Sequence, residues 1–156
     1  MAKIQVVMAV TLDGFLPHRE DPLLRWIKEN SRYGFPYWQE RNALEIYPHY
    51  GIIDLMDMAE TDKELVCSVE VSDDKRAEYA GGLFRYNLVN EMVIYLLPLT
   101  YGQGTGFSWE FHPCRWKLHA VKSFSNGVCR LVYRNPAVTE YGPDRTFSFS
   151  CIRSDG

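Results

Sequence analysis

Two nearly uninterrupted apolar runs constrain this sequence more than any other feature. Residues 3–10 are KIQVVMAV and residues 91–98 are EMVIYLLP. A strand without polar alternation is typically buried on both faces, as in the middle of a parallel sheet that is covered by helices. The runs therefore predict an α/β fold, in which residues 3–10 form a central strand that ends at a Thr-Leu-Asp-Gly turn.

Between these runs the spacing of apolar residues changes to that of helices. From residue 21 to residue 47 the pattern predicts two helices with a break near Gly34. Residues 64–71 alternate between apolar and polar side chains, which predicts a strand with one face covered. The charged stretch at 72–79 that follows is expected to be a surface helix or a loop, and one or two helical turns are expected to start at Gly81-Gly82.

The last third of the chain predicts an antiparallel hairpin. Asn126-Gly127 lies between the alternating runs 116–124 and 128–133, and Asn-Gly in this position is a strong hairpin signal. Residues 145–152 predict a final strand at an edge of the sheet. No internal repeat or linker divides the sequence, so residues 1–156 are expected to form a single domain.

Composition and charge exclude several classes of function. The 156 residues carry a formal net charge of −3 and no run of Lys or Arg, which argues against a nucleic-acid partner. The first apolar run is too short to span a membrane and no cleavage site follows it, so we expect a cytoplasmic protein without a membrane anchor. The four cysteines lack metal-ligand spacing, and neither a metal site nor a disulfide framework is predicted.

Four segments, taken in order, resemble the dihydrofolate-reductase-like family, and within it the reductase domain of the bifunctional riboflavin-biosynthesis deaminase-reductase. They are VVMAVTLDGFL at 6–16, Gly81-Gly82 with LVNEMVIYLLPL at 88–99, YGQGTGF at 101–107 and the hairpin at 116–134. The resemblance implies a three-layer α/β/α fold with a mixed central sheet and a C-terminal antiparallel hairpin. It also implies NADPH as hydride donor and a pterin or a ribosylaminopyrimidine as the small-molecule substrate.

The resemblance also implies which residues form the site. The implied substrate-binding residues are Thr11, Asp13, Gly14 and Trp26, and the implied cofactor-binding residues are Gly81, Gly82, Leu83, Gly102 and Gly104. Paired glycines at a helix start let the backbone approach a pyrophosphate, and the unpaired N–H groups there favour an anion. Because the hydride chemistry belongs to the nicotinamide, no dedicated catalytic residue is expected.

Each of these residues also has a purely structural interpretation. Asp13 is typical of a residue that stabilises its own turn, Trp26 is typical of a helix residue in a core, and the glycines are typical of flexible turns. Residues 33–66 are aromatic and acidic where the family has a basic turn that holds the 2′-phosphate of NADPH. The alternative hypothesis is therefore a non-catalytic member with a degenerate cofactor site, acting as a ligand-binding or interaction protein. A homodimer is expected under both hypotheses.

Overall fold

The computed structural model describes residues 3–42, 44–46, 48, 51, 53–54, 57, 66–106, 111 and 113–136. Its strands are β1 (Lys3–Thr11), β2 (Leu44–Glu45), β3 (Val66–Val71), β4 (Glu91–Leu97), β5 (Lys117–Ser123) and β6 (Cys129–Arg134). Among its helices are α1 (Pro22–Glu29), α2 (Phe35–Gln39) and α3 (Asp74–Arg85). The strand predicted at 145–152 lies outside the described residues. No helix in the described ranges is long and apolar enough to cross a membrane.

The described strands form one mixed sheet in the order β2-β3-β1-β4-β6-β5. Strand β1 lies between β3 and β4 and is parallel to both, and Val6, Val7 and Ala9 are completely buried. The prediction of a central strand covered on both faces is therefore confirmed. The hairpin β5–β6 pairs antiparallel with β4 through β6, as predicted, and Gly127 supplies the positive φ that its turn requires.

Helices cover both faces of the sheet. Successive residues of a strand point to opposite sides, so the residues of β1 pack alternately against the two helix layers. Val7 and Ala9 of β1 pack beneath α1 and α2, in a core that also contains Ile27. Val6 and Met8 face the other side, in a core that contains residues 77, 80, 83 and 84 of helix α3. This arrangement is the predicted three-layer α/β/α architecture.

The prediction that a helix starts at Gly81-Gly82 is wrong. Helix α3 starts seven residues earlier, at Asp74, because the carboxylate of Asp73 accepts a hydrogen bond from the backbone N–H of Arg76 at 2.9 Å and caps the helix. The two glycines are interior residues of α3. A glycine is tolerated there at a cost of roughly 0.5–1 kcal/mol relative to alanine.

Two other sequence-based expectations are corrected. The helical region ends at Gln39, and Leu44–Glu45 pair with β3 as a short edge strand instead of continuing a helix. Strand β3 is covered on both faces, since the consecutive residues Cys67, Ser68 and Val69 are all buried. Its position between β2 and β1, inside the sheet, accounts for this burial.

A buried asparagine fixes the relative position of the two longest parallel strands. The side-chain oxygen of Asn90 accepts a hydrogen bond from the backbone N–H of Ile4 at 2.8 Å. The backbone N–H of Asn90 donates in return to the carbonyl of Ile4 at 2.9 Å. Both bonds lie just before the start of β4, at the opposite edge of the sheet from the carboxyl ends of β1 and β4.

Candidate functional site

The loops that follow β1 and β4 meet at the carboxyl ends of these neighbouring parallel strands. In open α/β sheets this is the place where ligands usually bind, because the connections diverge and leave a crevice. Thr11, Asp13 and Gly14 belong to the first loop region, and Gly102 and Gly104 belong to the second. The structure therefore brings five of the predicted site residues to one edge of the sheet.

Asp13 joins the two loops through its carboxylate. The carboxylate accepts hydrogen bonds from the backbone N–H of Gly102 at 2.7 Å and of Tyr101 at 3.0 Å, and from the hydroxyl of Thr11 at 2.7 Å. The bond from Gly102, followed by the bond from Thr11, holds the pKa of Asp13 below its usual value of 3.8. These contacts are those of a structural residue, whereas its predicted role toward a substrate stays a prediction.

Thr11 is engaged in the same local network. Its side chain is buried, and its hydroxyl oxygen also accepts a hydrogen bond from the backbone N–H of Phe15 at 2.9 Å. Gly14 has a φ of 87°, which suits the tight turn that returns the chain to Thr11. The polar groups of this turn therefore bind one another.

Backbone and ring contacts join the two loops directly. The backbone N–H of Leu12 donates to the carbonyl of Leu99 at 2.9 Å, and a β-bridge pairs Phe15 with Gly106. The ring of Phe15 lies against the second loop, where a Cβ on Gly104 would stand 3.6 Å from it. The rings of His18 and Tyr101 stack at 4.3 Å across the same loops.

The other predicted cofactor residues lie away from this edge. Helix α3 starts at the carboxyl end of β3 and runs back across the sheet, so Gly81 is about 10 Å along its axis from the start. Leu83 is completely buried in the core and cannot contact a cofactor. The predicted cofactor role of Gly81, Gly82 and Leu83 depended on a helix start with unpaired N–H groups. These residues lie in the interior of α3, so that physical basis is missing.

The start of α3 does not fit a pyrophosphate either. The carboxylate of Asp73 already caps this helix, and Asp74 adds a second carboxylate in the first turn. These groups take the place that a phosphate would occupy at a helix N-terminus and would repel it. Together with the bonds that occupy the N–H groups of Tyr101 and Gly102, they mean that the described residues do not fit the pyrophosphate of NADPH at this edge.

An open cleft of about 550 Å³ lies elsewhere, between the end of α1 with its following turn and the tip of the hairpin β5–β6. We call it the aromatic cleft. It is lined by Trp26, Asn30, Tyr33, Lys122, Ser123, Phe124, Ser125 and Asn126. Trp26, a predicted substrate residue, is partly buried against the core and also lines this cleft, and its role toward a substrate stays a prediction.

Three rings form the walls of the aromatic cleft. The ring of Phe124 lies 5.1 Å from that of Trp26 in an edge-to-face arrangement and 5.2 Å from that of Tyr33. The position of Tyr33 is fixed through its backbone carbonyl, which accepts a hydrogen bond from the hydroxyl of Tyr95. The same hydroxyl accepts a hydrogen bond from the indole N–H of Trp38 at 2.9 Å. Burial raises the pKa of Tyr95, which keeps this hydroxyl protonated as a donor.

Two cations of the hairpin lie beside these rings. The ammonium of Lys122 is 5.4 Å from the centre of the Tyr33 ring and 5.8 Å from that of Phe124. The guanidinium of Arg130 is 5.7 Å from the centre of the Phe124 ring and donates a long hydrogen bond, 3.4 Å, to the carbonyl of Tyr33. Cations at these distances are attracted to the faces of aromatic rings.

Of the residues that line the aromatic cleft, sequence reasoning singled out Trp26 and missed the others, among them Tyr33, Lys122 and Phe124. A signal was present in the hairpin, because counting outward from the three-residue turn at 125–127 places Lys122 opposite Arg130. Within the described residues, no group of three or more His, Cys, Asp or Glu side chains is arranged to hold a metal ion. The rings, the polar side chains and the cations of the aromatic cleft can bind a ligand by ring stacking, by hydrogen bonds and by positive charge.

Comparison with known proteins shows similarity of fold. No protein-family model and no curated protein matches the chain. A solved structure from Shewanella sp. PV-4, provisionally assigned as a riboflavin biosynthesis protein, has 13% sequence identity and a TM-score of 0.63, over 85% of this chain and 98% of its own. RibD of Acinetobacter baumannii has 12% identity and a TM-score of 0.56, over 86% of this chain and 58% of its own. The resemblance found in the sequence is confirmed at the level of the fold.

Proposed function

We propose that this chain binds a small planar ligand in the aromatic cleft and does so without NADPH-dependent reduction. The observation that carries the proposal is the contrast between two places on one fold. At the ends of β1 and β4 the described loops use their polar groups to bond to each other, whereas the aromatic cleft is open. This is the ligand-binding form of the second hypothesis derived from the sequence.

The size and the lining of the aromatic cleft support ligand binding. Its volume of about 550 Å³ falls within the range of roughly 300–1,000 Å³ that is usual for small-molecule sites. Trp26, Tyr33 and Phe124 offer faces and edges to a planar ring, and an aromatic contact adds about 0.5–1.5 kcal/mol beyond the area that it buries. Two serines and two asparagines supply hydrogen-bonding groups around these rings.

NADPH-dependent reduction of a pterin or a ribosylaminopyrimidine is the second candidate. It is favoured by Trp26, which the family resemblance implies to be a substrate residue and which lines the aromatic cleft. The shared fold supports the same candidate only in general terms. Against it stand the carboxylates of Asp73 and Asp74 at the start of α3, and the hydrogen bonds that close the loops around Asp13.

A thermal-shift titration with NADPH and NADH separates the two candidates. A cofactor present at a hundredfold excess over its Kd stabilises the folded state by about 2.7 kcal/mol, which for a chain of this size is a rise in Tm of roughly 5–10 °C. At millimolar concentrations of either dinucleotide we expect no rise that comes from binding outside the aromatic cleft. The fluorescence of the four tryptophans provides a second measurement on the same samples.

A control variant excludes accidental binding of the dinucleotide in the aromatic cleft. A rise in Tm that persists in Lys122→Glu would come from a cofactor bound outside this cleft. Such a result, together with oxidation of NADPH in the presence of a pterin, would refute the proposal in favour of the reductase. The homodimer expected from the sequence stays a prediction, and sedimentation velocity measures it directly.

A further inference from the structure

We propose that the aromatic cleft selects planar fused-ring ligands that carry an anionic group, and that Lys122 supplies the charge that recognises this group. The inference rests on the proposed function and adds to it the chemical class of the ligand. It is carried by a pair of like charges in the hairpin, by the absence of an acidic partner for that pair among the described residues, and by the rings beside it.

The like charges are those of Lys122 and Arg130. They lie directly opposite each other on β5 and β6, and therefore on the same face of the sheet. Side chains in this relation have Cβ atoms about 4.5–5.5 Å apart, and like charges placed there destabilise a hairpin. Across the ranges that the structure describes, no carboxylate forms an ion pair with either cation.

The other end of the same hairpin provides an internal comparison. Lys117 lies opposite Arg134, so β5 and β6 place a second pair of cations face to face. There the guanidinium of Arg134 forms an ion pair with Glu91 at 2.8 Å. The pair beside the aromatic cleft is the one that lacks such a carboxylate among the described residues, so an anionic ligand would complete it.

The rings explain why the anion should be attached to a planar group. Lys122 lies within 6 Å of the centres of the Tyr33 and Phe124 rings, so an anion bound to its ammonium would hold the attached group beside them. Trp26 extends this apolar surface through its contact with Phe124. A ligand with two fused rings would contact more of this surface than a single small ring.

The rim of the cleft favours the same ligand class. No lining residue that the structure describes is acidic. The side-chain oxygen of Asn30 accepts from the backbone N–H of Tyr33 at 2.8 Å, and that of Asn126 accepts from the backbone N–H of Val128 at 3.1 Å. With their oxygens engaged, both amides keep N–H donors for a ligand, and donors suit an anion or ring carbonyls.

Two pterins that differ in one substituent test the inference. Pterin-6-carboxylate is a planar bicyclic anion, and 6-hydroxymethylpterin is its uncharged counterpart, so the ratio of their Kd values isolates the anionic group. Both are fluorescent, and titration with the full-length protein followed by anisotropy gives each Kd. We expect the carboxylate to bind about tenfold tighter at low salt, and the ratio to fall as ionic strength rises.

Charge-matched variants assign this preference to a residue. Lys122→Glu should reduce the ratio of the two Kd values to about one or below, and Lys117→Glu should leave it near tenfold. Both residues are exposed on β5, so the two variants change the net charge equally. Circular dichroism and urea unfolding verify that both variants fold.

The possible outcomes separate the inference from the proposed function. Equal Kd values for the two pterins in the wild-type protein would overturn the inference and leave ligand binding without NADPH in place. Equal losses in both lysine variants would overturn it as well, because the effect would then be one of overall charge. Absence of binding by either pterin at millimolar concentration would overturn the assigned ligand class. Failure of the proposed function itself is detected separately, by a response to NADPH that persists in Lys122→Glu.

Discussion

Replacement of Gly34 by alanine should destabilise the protein more than any other single added methyl group described here. A Cβ at this position would lie 2.0 Å from the carbonyl oxygen of Ile27 and 2.8 Å from that of Asn30. Ordinary carbon–oxygen contacts are about 3.3 Å or longer, so the backbone would have to move by more than about 1 Å. The φ of Gly34 is −96°, so the cost comes from this contact and not from an unfavourable dihedral angle.

The magnitude follows from what must move. Ile27 is completely buried in the core beneath α1, and the N–H of Gly34 bonds to the carbonyl of Asn30 at 2.8 Å. Overpacking of this kind typically costs 1–3 kcal/mol and occasionally more, and here the opposing atoms belong to the backbone. We expect Gly34→Ala to lower the free energy of unfolding by about 2–4 kcal/mol, which is a fall in Tm of roughly 5–15 °C.

Gly82→Ala is the matched control, because it adds the same methyl group in a different environment. A Cβ at Gly82 would meet no atom within 4 Å, and the residue lies inside helix α3. Alanine should therefore raise the free energy of unfolding by roughly 0.5–1 kcal/mol. Urea unfolding followed by circular dichroism measures both variants on one scale. Surface substitutions are usually neutral within about 0.5 kcal/mol. If the free energy of unfolding of Gly34→Ala lies that close to the wild-type value, the close approach of Gly34 to the carbonyl of Ile27 is refuted.

Three other predictions follow from individual contacts. Tyr95→Phe removes a hydroxyl that serves two partners and should cost about 1–3 kcal/mol in urea unfolding, with the ring packing retained. Asn90→Ala leaves the buried N–H of Ile4 without its acceptor and should cost a similar amount; a neutral result would contradict the assigned bond. The stabilising contribution of Asp13, whose folded-state pKa is lowered, should be present above pH 3.8 and be lost as the pH falls through that lower pKa. The backbone amide resonances of residues 101–104 should shift with this titration and lose the pH dependence in Asp13→Asn, whereas a midpoint above 3.8 would contradict the lowered pKa.

The parts of the fold that depend on local patterns were predictable from the sequence. The unbroken apolar run of β1 indicated burial on both faces, and the Asn126-Gly127 turn indicated the hairpin β5–β6. The start of α3 was not predictable in the same way, because two local signals competed for it. Both the Gly81-Gly82 pair and Asp73 are compatible with a helix start, and the cap formed by Asp73 prevailed.

The candidate site was less predictable, because its contacts join distant parts of the chain. Asp13 was correctly placed at the end of a buried strand, but its partner Gly102 lies 89 residues away. No local pattern indicates that the two loops would bond to each other. Lys122 was missed because the hairpin was interpreted as a structural element, although its pairing with Arg130 follows from the predicted turn.

The placement of β5 has a consequence for how the protein responds to heat. All seven residues of this strand are exposed, so it is attached to the sheet mainly by its bonds to β6. Peripheral units with little burial open at a lower free energy than a core does. The hairpin provides one side of the aromatic cleft, and the opposite side is anchored by buried residues such as Ile27. We therefore expect warming to abolish ligand binding several degrees before the central strands separate, and a bound ligand to narrow that interval.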